Sequence, residues 1–171
     1  AATRTGAPGP PLVIGADIGE NHDRGVIVVL GSGTAELIAD EGGADWVPGR
    51  VAELAERHSA AAVGIDGTGP ARSMITPLRK VLGDRLIVCR AGDMAASSGM
   101  VLDMLTGRGL GLRDHEVFSR AVRTARKRRA AGSWVWDRGD DGLVLVALTA
   151  AVHAEINAPE PEEDEEPMIY A

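Results

Sequence analysis

Ile14-Gly15-Ala16-Asp17 and Val63-Gly64-Ile65-Asp66 repeat one pattern: a short apolar run, a glycine, one more apolar residue, then an aspartate. A glycine-containing turn follows each aspartate, and a third, Asp141, opens the last strongly apolar segment. An acid at the end of a buried strand is costly unless something offsets its charge. Three brought together would repel one another unless a cation sat among them. The spacing therefore points to a chain that gathers carboxylates around a divalent ion.

Working outward, residues 11–17 read as a buried strand, 25–30 (GVIVVL) as a second and 34–40 as a third, with Gly31-Ser32-Gly33 as a turn. These three form an antiparallel meander. Residues 44–58 carry Val47, Val51, Leu54 and Ala55 at helical spacing. A strand over 60–66 follows, then a helix over 70–82 with Pro70 in its first turn, and a short strand over 86–89. Residues 93–106 read as a helix. Residues 114–129 read as a long helix ending in Arg126, Lys127, Arg128 and Arg129, the sign that a helix C-terminus favours. A short strand over 133–136 and an almost wholly apolar helix over 141–156 complete the pattern. A helical crossover between the first strand and the strand at 60–66 makes them parallel neighbours. Their C-terminal ends then stand side by side, at the edge where open α/β sheets bind ligands.

The bulk numbers agree with one folded domain. The chain has 171 residues, 44% of them hydrophobic. Its net charge of −7 misleads, because Glu160, Glu162, Glu163, Asp164, Glu165 and Glu166 sit in one tail. Without that tail, acids and bases almost balance, and a polyanionic partner is not excluded. Residues 1–11 are small and Gly/Pro-rich and read as a flexible linker; with no starting Met, they suggest a fragment of a longer protein. Residues 12–158 read as the folded domain and 159–171 as an acidic, solvated, disordered tail. Cys89 reads as a small core residue. No HExxH, CxxC pair or GxxxxGK[ST] loop is present, which argues against a zinc site or a Walker ATPase.

Hard cations such as Mg²⁺ and Mn²⁺ prefer carboxylate oxygens. Two of them about 4 Å apart suit phosphodiester hydrolysis. Asp17, Asp66 and Asp141 supply enough oxygens for such a pair. Each has a plainer reading as well: Asp17 and Asp66 as turn formers, Asp141 as a helix cap. Gly15 and Gly64 lie on the same strand faces as the acids and leave room for a cation or a close-packed helix. Glu20, His22 and Asp23, in the loop after Asp17, read as a solvated turn. Asp137, Arg138 and Asp140 flank Asp141 and leave the third ligand open between Asp140 and Asp141.

Four stretches carry a resemblance: VIGADIG at 13–19, WVPGRVAELAERHSAAAVGIDGTGPA at 46–71, AGDMAASSGMVLDML at 91–105 and WDRGDDGLVLVALTAAVHA at 136–154. Together they resemble the nuclease domain of the large terminase subunit of tailed phages. The resemblance implies an α/β, RNase H-like mixed sheet with antiparallel first three strands and flanking helices. It implies endonucleolytic cutting of concatemeric double-stranded DNA by two Mg²⁺ or Mn²⁺ ions held on Asp17, Asp66 and Asp141, and it favours Asp141 over Asp140. It further implies a terminase ATPase domain outside this chain, a small terminase subunit and a portal as partners, and action in the host cytoplasm during phage assembly, with no membrane. Arg126, Lys127, Arg128 and Arg129 are the expected contacts to DNA phosphates. Two alternatives stand beside this reading: another RNase H-like nuclease such as a junction resolvase, and a non-catalytic docking module of the packaging motor.

Overall fold

The computed structural model describes residues 2–4, 6–113 and 115–161. The acidic residues 162–166, on which the expectation of a disordered tail mostly rests, lie outside them. Strand β1 is Ala2–Arg4, β2 Val13–Ile18, β3 Arg24–Gly31 and β4 Thr34–Gly42. Helix α1 (Val47–Arg57) leads to β5 (Ala62–Asp66). A 3-10 turn at Pro70–Met74 then runs into α2 (Ile75–Leu82), followed by β6 (Leu86–Cys89) and α3 (Ala91–Thr106). The chain continues through β7 (Gly111–Arg113), α4 (Glu116–Arg123), β8 (Lys127–Ala130), β9 (Ser133–Trp136) and α5 (Gly142–Asn157).

The main sheet runs β1-β7-β4-β3-β2-β5-β6. Strands β2, β3 and β4 form the expected antiparallel meander, and β2 and β5 are parallel neighbours. The first eleven residues are not all outside the fold, because Ala2–Arg4 pairs in parallel with Gly111–Arg113.

Two apolar layers sandwich the sheet. On one face α1 and α2 bury Val47, Val51, Leu54, Leu78 and Leu82 against Ile14, Ile27 and Ile65. On the other, α5 crosses the sheet beneath α3 and α4 and contributes Leu145, Val146 and Leu148 to the larger core. A helix buried on all sides needs an apolar sequence all round, which is what residues 142–154 supply. Its Thr149 hydroxyl donates to the Leu145 carbonyl (2.7 Å) and accepts from the Trp136 indole N–H (2.9 Å), so both polar groups are satisfied inside the core.

The long helix expected over 114–129 is the main correction. It ends at Arg123, with Thr124 as its C-cap, and residues 127–136 fold into a separate hairpin. Ala131 (φ 50°) and Gly132 (φ 72°) form its two-residue turn, the left-handed pair that matches strand twist. A helix would have stacked Arg126, Lys127, Arg129 and neighbouring bases at like-charge spacing. The hairpin instead sends Val135 and Trp136 into the core, while residues 126–129 stay exposed. The Lys127 ammonium rests 4.2 Å from the centroid of the Trp134 ring.

Among the described residues no helix is long and apolar enough to cross a membrane.

Candidate metal centre

Asp17 and Asp66 are brought together by register. Gly15 pairs with Gly64 and Ala16 with Ile65, so the two aspartates follow at the same level of adjacent parallel strands. The glycines serve α5 and not a cation. A Cβ at Gly15 would lie 1.9 Å from the Ala147 carbonyl oxygen, and one at Gly64 would lie 2.1 Å from that of Ala150. Backbone-to-backbone contact at this distance admits only glycine, and it lets the helix pass directly beneath the acids.

Both carboxylates are buried. One Asp66 oxygen accepts from the Thr68 backbone N–H (2.9 Å) and hydroxyl (2.7 Å), so this acid also forms the turn that follows it. The other oxygen accepts from Nη2 of Arg138. Arg138 Nε donates to Oδ2 of Asp17 at 2.9 Å. One guanidinium thus bridges both acids. The remaining oxygen of Asp17, Oδ1, is buried and has no hydrogen-bond partner. Burial pushes the Asp17 carboxyl up to about 7, against the opposing pull of Arg138. Burial also works against the charge of Arg138, but Asp17 and Asp66 outweigh it and hold the guanidinium above its usual range.

Asp141 sits immediately before α5 without capping it, since its side chain makes no bond to the helix backbone. Arg24, from the start of β3, donates to Oδ1 at 3.1 Å, and Arg120, from α4, donates to Oδ2 at 2.5 Å. Burial opposes ionisation here, yet the bonds from Arg120 and Arg24 prevail and hold the carboxyl below the usual carboxylate range. Arg24 also pairs with Asp40 through a two-pronged contact and donates to the Asp140 carbonyl, which ties the segment before α5 to the sheet.

As the side chains stand, Asp17 and Asp66 share a counter-charge while Asp141 has its own. Among the described residues no three His, Cys, Asp or Glu side chains are grouped so that they could hold one ion. The donor set fits a hard cation at one point. Asp17 and Asp66 flank a buried positive charge, and Oδ1 of Asp17 still lacks a partner. A polar cleft opens beside this point, lined among others by Glu20, Asp23, Arg24, Arg128, Arg138 and Asp140. Arg128 is the one member of the expected DNA-contacting group in that lining, and Arg126, Lys127 and Arg129 are exposed on the same hairpin or at its base. Glu20, His22 and Asp23 are solvated, as expected.

No protein-family model and no curated protein matches the chain. Solved structures do. The large terminase nuclease from thermophilic phage G20c is 26% identical, with a TM-score of 0.61, over 82% of this chain and 80% of that one. This is the fold of phage large-terminase nuclease domains. The same nuclease with bound magnesium aligns at 23% identity and a TM-score of 0.61, over 85% of this chain and 82% of that one. A mutant nuclease domain of the large terminase subunit of bacterial virus Sf6, with manganese and beta-thujaplicinol, aligns at 12% identity and a TM-score of 0.64, over 86% of this chain and 90% of that one. The terminase-nuclease fold is RNase H-like, as the resemblance implied, and the antiparallel meander β2-β3-β4 with its flanking helices agrees with it.

The sequence named the acids and left out their partners. Arg138, Arg24 and Arg120 reach the site from three separate elements. Only the general requirement that a buried carboxylate find a positive charge hinted that such residues exist.

Proposed function

We propose that this chain is a divalent-metal-dependent endonuclease that cuts double-stranded DNA, the nuclease part of a phage packaging terminase. One observation carries the reading: two carboxylates at the ends of adjacent strands, one of them fully buried with an oxygen that lacks a partner. The solved nuclease structures with magnesium and manganese are consistent with it. Asp17 and Asp66 would hold Mg²⁺ or Mn²⁺. Asp141 enters the set through its motif, and its two oxygens are taken by Arg24 and Arg120 here. When bound, a pair of such ions supplies an activated water and neutralises charge at the phosphorus.

The remaining work falls to the chain itself. Arg128 faces the cleft, and Arg126, Lys127 and Arg129 stand exposed beside it, placed to grip phosphates without reading bases. Arg24 and Arg120 orient Asp141 and keep it ionised. A setting in a packaging motor, in the host cytoplasm, with an ATPase domain, a small terminase subunit and a portal as partners, belongs to the same proposal.

The test is plasmid nicking with Mn²⁺. Asp17→Asn and Asp66→Asn are each expected to abolish nicking while circular dichroism shows the fold intact. Nicking at the parental rate by either variant refutes the assignment.

A further inference from the structure

We propose that Arg138 is a built-in competitor for the divalent ion: its guanidinium fills the place between Asp17 and Asp66 and must withdraw before an ion can bridge them. The inference rests on the metal reading above. Its ground is the way the arginine is housed. The Arg138 side chain is only 7% exposed and spans both acids with separate nitrogens. Its guanidinium occupies the space that a side chain at Gly69 would need. A Cβ there would come within 2.3 Å of Nη2 and 2.7 Å of the central carbon, so the turn after β5 is shaped to admit it. A surface arginine reaching for the nearest acid has no such seat.

Charge explains why the seat is contested. Two carboxylates and one guanidinium leave a buried net charge of about −1, whereas a divalent ion in the same place would cancel both acids. Arginine is therefore an incomplete substitute. It offsets part of the repulsion between the acids, and it leaves Oδ1 of Asp17 without a partner.

Arg138 is carried by a turn and not by a helix or strand. It rides on the segment between β9 and α5, where Asp140 takes a left-handed conformation (φ 52°) and Gly139 donates to the Asp137 side chain at 2.7 Å. The same segment carries Asp141, whose oxygens Arg24 and Arg120 hold, so the guanidinium can swing out by side-chain rotation while the segment stays tied to the sheet. The Asp137 N–H is bonded to the Arg126 carbonyl at 2.9 Å, which joins this segment to the base of the basic hairpin.

The experiment measures Mn²⁺ binding directly at pH 8, by the loss of the free-ion electron paramagnetic resonance signal, on the whole chain. Arg138→Gln is expected to tighten Mn²⁺ binding about tenfold or more, because the competent fraction of sites rises. Gly69→Ala keeps the arginine but fills its seat, and it is expected to tighten binding in the same direction. It also serves if Arg138→Gln does not fold. Asp17→Asn is expected to lose the site. Equal or weaker binding in Arg138→Gln and Gly69→Ala, with Asp17→Asn still deficient, overturns the competitor role and leaves the metal reading standing. No binding by any variant, Arg138→Gln included, overturns both.

Discussion

Replacing Asp17 by Asn removes the surplus charge from a buried group of one guanidinium and two carboxylates. The native protein carries that charge at a cost that depends on pH. Burial raises the Asp17 carboxyl from 3.8 to about 7, roughly three units, each worth about 1.4 kcal/mol. An acid whose pKa rises on folding favours the folded state fully only below its unfolded value. That contribution is lost as pH climbs from near 3.8 through about 7, and above that it stays lost. Relative to an unshifted acid, the raised value costs the folded protein about 4 kcal/mol at pH 8, where Asp17 is ionised, and a little under about 2 kcal/mol at pH 5, where folding takes up a proton. Asparagine resembles the protonated acid, but its amide group sits poorly beside Arg138, so a net gain of about 2–4 kcal/mol at pH 8 is the realistic figure. Urea unfolding with a chelator present, at pH 5, 6, 7 and 8, measures this. Groups common to both proteins cancel in the difference. The advantage of Asp17→Asn should grow by about 2–3 kcal/mol between pH 5 and pH 8. A difference that stays flat across that range, or that shrinks as pH rises, refutes the account of Asp17 as a buried, under-compensated acid.

Gly15→Ala and Gly64→Ala should each destabilise the fold by about 3 kcal/mol or more, because the new methyl meets the α5 backbone and not a movable side chain. Thermal denaturation reads this directly, and a loss under about 1 kcal/mol would mean that the helix is not seated as described. Arg128→Ala and Arg129→Ala should each weaken duplex DNA binding and lower the salt dependence of the association constant by about one ion equivalent, with unchanged melting temperature. Binding by both variants that matches the parent at every salt concentration would remove the hairpin from the DNA surface.

Much of the frame was legible from local pattern. The strand-glycine-apolar-aspartate repeat placed two acids at neighbouring strand ends because side-chain alternation and right-handed crossovers leave little choice. The almost wholly apolar stretch at 142–154 announced a central helix for the same kind of reason. The second strand of the hairpin was legible at 133–136, but its first strand reads as helix because residues 124–130 contain no strand-forming alternation of their own. Their pairing depends on Ser133–Trp136 and on the core that receives Val135 and Trp136. The purpose of Gly15 and Gly64 was also ambiguous, since room for an ion and room for a helix look alike in one dimension.

The acids, their strand-end positions and the α/β order were readable along the chain, because those follow from periodicity over a few residues. Which cations the acids meet is visible in three dimensions alone. Arg138 joins Asp17 and Asp66 from 121 and 72 positions away, and Arg24 reaches Asp141 across 117. Charge pairing in a buried site is set by through-space distance and desolvation, and neither is written in the spacing of residues along a chain.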